Sequence, residues 1–195
     1  MALSKKFIIA QKFTATAEGG LTDDPQDRGG ITNYGVCLAF LTDIAKGSQA
    51  NDKLADLGVL LPVSRQSIIK LTKQQAEEIF KWQFWDKLGC DELPVCIGCL
   101  VYDAAVNHGR VWGVKLAQRG YNAMGKGEKL VVDGVMGPKT RAALSALDSP
   151  ELHYKILEAR MAYYDAIIRN HPSQKVFKKG WYNRVKNLGD YIWSL

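Results

Sequence analysis

No stretch of this 195-residue chain approaches the roughly 18 to 20 consecutive apolar residues that a membrane-spanning helix needs, which argues against stable membrane insertion. Near the N-terminus only the patch Phe7-Ile8-Ile9-Ala10 is apolar, with no small-residue cleavage site behind it, so no secretory signal is visible. Internal repeats of about 20 to 50 residues are missing, as are low-complexity tracts, which excludes solenoids and propellers. Cysteine is sparse: Cys37, Cys90, Cys96 and Cys99. The single C-x-x-C pair (Cys96, Cys99) has no second pair and no histidine at zinc-finger spacing. The four read as buried free thiols in a reducing compartment, with a disulfide or a zinc site as the alternatives. Helix-turn-helix, finger and RNP-type motifs are also lacking, which weighs against a nucleic-acid-binding protein.

What is present is an ordinary globular composition, 47% hydrophobic and 24% charged. A chain of this length buries about 70% of its unfolded surface, so the core needs neither metal nor disulfide. Disordered, collagen-like and disulfide-stapled classes are thereby excluded. One domain, or two small ones sharing an interface, is the expected organisation. The net charge of +6 is uneven: residues 1–100 carry 11 lysines and arginines against 12 carboxylates, residues 101–195 carry 15 against 8. A basic second half attracts an anionic partner such as nucleic acid, acidic lipid or a cell-wall polymer. The eight cations from Lys155 to Lys186 can equally be a solvated helical face.

Most of the chain reads helical. Residues 4–17 carry Phe7, Ile8 and Phe13 on neighbouring faces and stop at Gly19-Gly20. Residues 21–33 are turn chemistry, a small hairpin or loop, and helical pattern resumes over 36–45, followed by a loop around Gly47, Ser48 and Asn51. Thr72-Lys-Gln-Gln75 has the form of a capping box ahead of an aromatic-rich helix through Leu88. Further helices are expected over 95–107, 111–124, from Pro138 to Leu147, over 151–169 and over 177–192, giving seven or eight in all.

Glu18 closes the first helix and faces the polar loop that holds Asp24 and Asp27. A helix C-terminus disfavours an ionised carboxyl, and apolar neighbours do the same by desolvation. A carboxyl kept protonated near neutral pH serves as a general acid, which glycosidic cleavage requires together with a second polar group. From spacing alone, a helix-end glutamate with two turn-forming aspartates is equally consistent.

The wording of the segment, E-G-G-x-x-x-D-P-x-D-x-G-G-x-T-N-Y-G over residues 18–35, resembles the opening of the glycoside hydrolase 108 family, N-acetylmuramidases of phage endolysins and of some secretion-associated wall enzymes. Val101-Tyr-Asp103-Ala-Ala-Val-Asn107-His-Gly109 resembles a second segment of that family. Asp133-Gly134-x-x-Gly137-Pro138-x-Thr140 and Gly180-Trp181-x-x-Arg184 resemble the peptidoglycan-binding module paired with it, so the likeness covers roughly residues 10–190.

The resemblance implies a mainly α, lysozyme-like helical fold with a small β-hairpin or loop beside the catalytic Glu. It implies a muramidase region over 1–97 and a peptidoglycan-binding-type helical region over 98–195, packed as one unit. Glu18 would be the acid. Phage-type lysozymes, with a Glu, an Asp nine positions on and a Thr about fifteen on, point to Asp27 and Thr32, here at offsets of 9 and 14. Asp27 is the preferred second carboxylate and Asp24 the runner-up. Asn33 and Tyr34 are candidates for the sugar groove, Asn33 also as a helix cap. Asn107, with His108, is a helix-end cap or a wall of the cleft. The Asp133 to Thr140 turn reads as structural, and Trp112, Tyr121 and Trp181 as core or as glycan contacts.

The implied activity is cleavage of the β-1,4 bond between N-acetylmuramic acid and N-acetylglucosamine, needing no metal or cofactor. The partner is the peptidoglycan glycan strand, with no nucleic acid, and the expected state is a monomer. A phage endolysin made in the host cytoplasm and released by a holin fits the missing signal. The alternatives are a non-catalytic peptidoglycan-binding protein and a host muramidase serving secretion.

Overall fold

The computed structural model describes residues 3–15, 20–23 and 29–195. Among these it is mainly helical, with ten α-helices and one two-stranded antiparallel sheet. The chain divides into two compact units, residues 11–83 and residues 1–10 together with 84–195. The first helix, α1 (Lys5–Thr14), runs across the first of these boundaries.

In the unit of residues 11–83, β1 (Thr32–Asn33) pairs with β2 (Val36–Cys37), Thr32 opposite Cys37 and Asn33 opposite Val36. The turn between them has Tyr34 at φ 47° and Gly35 at φ 79°. Two consecutive positive φ values are the turn geometry whose twist matches a tight hairpin. Thr22 extends the pairing, exchanging backbone hydrogen bonds of 2.8 and 2.9 Å with Thr32. The hairpin therefore lies over 32–37, later than the 21–33 expected, and α2 (Leu38–Ala45) starts after it rather than at Val36. Val36 and Cys37 are used in the sheet, and the Cys37 Sγ accepts the Phe40 N–H at 3.4 Å to cap α2.

The loop expected around Asn51 is instead the start of α3 (Ala50–Asp56), and another short helix, α4 (Arg65–Ile69), follows. At α5 (Lys73–Phe80) the capping box forms: Gln75 N–H donates to Thr72 Oγ1 at 3.2 Å, and Thr72 N–H to Gln75 Oε1 at 2.9 Å. The Gln75 amide also donates to the carbonyls of Gly58 and Leu57 at 2.7 and 3.2 Å, tying α5 to the segment after α3. Val36, Leu41, Leu54, Ile68 and Ile79 are wholly buried and form the core of this unit. Residues 81–86 continue α5 as a wider π-helical turn.

The second unit is built on α6 (Val95–His108), α7 (Arg110–Ala123), α8 (Pro138–Ala146), α9 (Pro150–Asn170) and α10 (Lys178–Ile192). Gly109 at φ 84° separates α6 from α7. A Cβ on Gly113 would stand 2.8 Å from Ala105 Cβ and from the Val101 carbonyl, and one on Gly120 would stand 2.7 Å from the Ile156 backbone. These two glycines are what let α7 lie close against α6 and α9. Ser149 caps α9, its Oγ accepting the Leu152 N–H at 3.3 Å, with Pro150 in the first turn. Phe7, Trp85 and Tyr102 meet edge to face in a triangle with centroids 5.6 to 5.8 Å apart, all three fully buried.

Candidate active site

Thr32, Asn33 and Tyr34 are the sequence-derived site residues that the structure places together. Glu18, Asp24 and Asp27 lie outside the described residues. Thr32 Oγ1 donates to the Gly30 carbonyl at 3.1 Å. Asn33 is buried, and its amide donates to the carbonyls of Ile68 at 3.1 Å and Leu71 at 3.2 Å. These bonds pin β1 to the end of α4, so Asn33 does not cap α2, the cap being Cys37. Tyr34, two-fifths exposed, is held in the left-handed region that side-chain-bearing residues rarely occupy. Such an observed outlier points toward a functional position.

Tyr34 lines a pocket of about 220 Å³. Gln11 and Ala15 contribute from α1 and the residue just beyond it, and Lys73, Ala76 and Glu77 from one face of α5. Gly20 completes the lining. Ala15 and Gly20 are the described residues on either side of the segment that carries Glu18. The Lys73 ammonium stands 3.9 Å from the Glu77 carboxylate. The pocket thus joins an aromatic ring, an amide, a carboxylate and a cation, groups able to bind a neutral, hydroxyl-rich ligand. Arg65 of α4 was not singled out by the sequence; it forms a two-armed ion pair with Asp23, the shorter arm from Nη2 and the other 2.8 Å from Nη1. Its hydrogen bond and charge hold the exposed Asp23 carboxyl below the usual carboxylate range.

Asn107 is in the second unit, in the last turn of α6, where its amide donates to the Asp103 carbonyl at 2.7 Å. Asp103 is fully buried between two arginines. Arg160 Nη1 donates to its Oδ2 and Arg184 Nη2 to its Oδ1, both at 2.6 Å. Burial raises the pKa of this carboxyl, but the charges of Arg160 and Arg184 outweigh it, and the net direction is down. Arg160 Nε donates to the Tyr164 hydroxyl at 3.1 Å, which in turn lies 3.0 Å from His108 Nε2. Desolvation, helped by the Arg160 charge, lowers the His108 pKa to about 4, so the imidazole is neutral at pH 7. The aspartate of the second family-like segment and the arginine of the last one therefore meet in a structural cluster.

The turn from Asp133 to Thr140 is likewise knotted internally. Gln118 of α7 donates to Asp133 Oδ1 at 2.8 Å and accepts the Gly134 N–H at 3.0 Å, while Asp133 Oδ1 also accepts the Val135 N–H at 2.8 Å. Thr140 Oγ1 donates to the Val135 carbonyl at 3.2 Å. Tyr121, expected as core or glycan contact, is core, only 7% exposed. All four cysteines are free thiols. Burial pushes the Cys99 thiol up to about 12, an inert group. Among the described residues, no helix is long and apolar enough to cross a membrane, and no cluster of His, Cys, Asp and Glu is set to hold a metal.

Comparison with known proteins finds two family regions, whose boundary falls within the second unit, at the junction of α6 and α7. Residues 11–109 match the family described as Glycosyl hydrolase 108. Residues 112–186 match the family described as Predicted Peptidoglycan domain. The solved structure of SagA from Brucella abortus is similar to this chain at a TM-score of 0.71 and 28% identity, covering 96% of this chain and 94% of that one. No curated protein matches it.

Proposed function

Since the chain belongs to the glycosyl hydrolase 108 family, and is therefore a glycoside hydrolase acting on peptidoglycan in the cell wall, we propose that it is an N-acetylmuramidase with Glu18 as its general acid. The observation that carries this reading is the pocket: both flanks of the Glu18 segment line it, beside the strained Tyr34 and the polar face of α5. A sugar packs its apolar ring face on Tyr34 while its hydroxyls reach Gln11, Lys73 and Glu77. Glu18 gives its proton to the bridging oxygen as the bond to the N-acetylmuramic acid C1 breaks. Water then supplies hydroxide to that carbon and returns a proton to a carboxylate. Asp27 is the second carboxylate, and Asp24 stands behind it if Asp27 proves dispensable. Thr32, Asn33 and Asn107 act by fixing backbone, through the bonds described above.

The finer biological reading is a monomeric phage endolysin, made in the host cytoplasm and passed to the wall by a holin. The endolysin-like wording of residues 18–35 supports it. Its test is expression in a Gram-negative host: lysis that follows only when a holin is co-expressed is the expected result, and lysis without one would remove the endolysin role.

For the chemistry, the experiment is clearing of outer-membrane-permeabilised Gram-negative cells by the parent and by Glu18→Gln at matched thermal stability. The parent alone should clear them. Equal clearing by both would place the acid elsewhere, and clearing by neither would leave a wall-binding protein without hydrolytic activity.

A further inference from the structure

We infer that the second unit holds the cell wall on a row of aromatic rings that crosses α9, with the cations beside it taking the carboxylates of the stem peptides; this rests on the peptidoglycan reading above. The row runs ring to ring. Trp112 packs on Tyr163 at 4.1 Å, His108 stands 5.3 Å from Tyr163 and 5.2 Å from Tyr164, Tyr164 stacks on Trp181 at 4.8 Å, and Trp181 on Phe177 at 5.9 Å.

Its middle belongs to the core, since Tyr164 is buried and bonded into the Asp103 cluster. Its ends do not. Trp112, Tyr163 and Trp181 are half-buried, Phe177 is 52% exposed and its neighbour Val176 is 78% exposed. No residue of the turn Pro172–Phe177 is buried, so folding gains little from an aromatic and a valine there. Exposed apolar side chains grouped beside other half-buried rings mark a contact surface.

Charge completes the assignment. The Lys115 ammonium and the exposed Arg119 guanidinium lie over Trp112, 5.5 and 5.2 Å from the ring centre. This pairing of cation and ring suits a ligand whose apolar face and anionic group are close together. A glycan strand bearing acidic peptides has that chemistry: pyranose C–H faces pack on half-buried rings, and peptide carboxylates reach the cations. A lipid surface offers the charge without a ring face. Trp112, Lys115, Arg119, Tyr163, Phe177 and Trp181 all fall within residues 112–186, the part that matches a peptidoglycan domain. The Asp133 to Thr140 turn, whose polar groups are satisfied through Gln118, is not needed for this contact.

The test is co-sedimentation of the full chain with purified sacculi, in the Glu18→Gln background so that the wall stays intact. Lys115→Glu with Arg119→Glu should lower affinity about tenfold, and Phe177→Ala severalfold. Both sets of substitutions are at solvent-accessible positions, and thermal melts confirm folding. Blocking the sacculus carboxylates as amides should bring the parent down to the double variant and leave that variant unchanged. In the Glu18 background, both variants should cleave short, soluble, peptide-free glycan oligomers at the parent rate. Affinities within twofold of the parent would overturn the surface, as would binding to phosphatidylglycerol vesicles in place of sacculi. A parent that binds sacculi through this face but cleaves no soluble oligomer would sink the muramidase reading and leave the surface standing.

Discussion

Tyr34 in the first unit keeps a strained backbone and a partly exposed ring at the edge of a pocket, whereas Asp103 in the second is wholly buried under two arginines. Both belong to segments whose wording resembles a hydrolase of the cell wall. The wording alone does not separate chemistry from architecture; burial and hydrogen bonding do. In residues 11–83 the family-like segment exposes groups to a cavity. In residues 84–195 Asp103 and Arg184 of the family-like segments are consumed by each other, and the surface proposed for a ligand draws on Trp181 together with side chains outside those motifs.

That contrast can be broken by substitution. Glu18→Gln should cost about a hundredfold to ten-thousandfold in hydrolysis, the usual share of a general acid, without moving the melting temperature. Asp103→Ala should do the reverse, lowering unfolding free energy by about 3 to 5 kcal/mol because the buried Arg160 guanidinium and the partly buried Arg184 lose their counter-charge. Chemical denaturation measures it, and a destabilisation below about 1 kcal/mol would mean the cluster is not structural. Gln118→Ala should cost about 1 to 3 kcal/mol by leaving the Asp133 turn unsatisfied, with wall binding preserved in the folded fraction. Tyr34→Ala should raise KM severalfold while leaving stability nearly unchanged, since the lost packing is at an exposed turn.

The pH response of the second unit sharpens the same distinction. His108 has its folded pKa depressed from 6.5 to about 4 by burial, so the unfolded chain takes up a proton first as pH falls. The resulting stability, on the order of 3 kcal/mol, is present above pH 6.5 and is lost as pH falls toward 4. Melting curves of the parent should fall across that window, and those of His108→Gln should be flatter. Parallel curves would show that the imidazole is not held neutral by its surroundings.

Much of the fold was legible in the sequence. The capping box at Thr72 and the break between two helices at Gly109 both report local backbone chemistry, and both stand where expected. The hairpin was misplaced because its turn is Tyr-Gly rather than the Asn-Gly or Asp-Gly pair that signals two positive φ values. Helices of seven and five residues, α3 and α4, are too short for a periodic pattern to show. The pocket was only half legible: the E-G-G wording pointed to its rim, but Gln11, Lys73 and Glu77 reach it through tertiary folding. The Asp103 cluster joins residues 57 and 81 positions apart, beyond the reach of any local spacing rule.

The same cluster sets how the two units answer to heat. Holding the charges of Asp103 and Arg160 away from water costs most in the cold, and the penalty shrinks as temperature rises because ion hydration becomes less favourable. Residues 11–83 have no described counterpart, their described ion pairs being at the surface, as at Asp23 with Arg65 and Asp43 with Lys46. Warming therefore strengthens the second unit relative to the first. A calorimetric scan should show the pocket-bearing residues melting before the helices around Asp103.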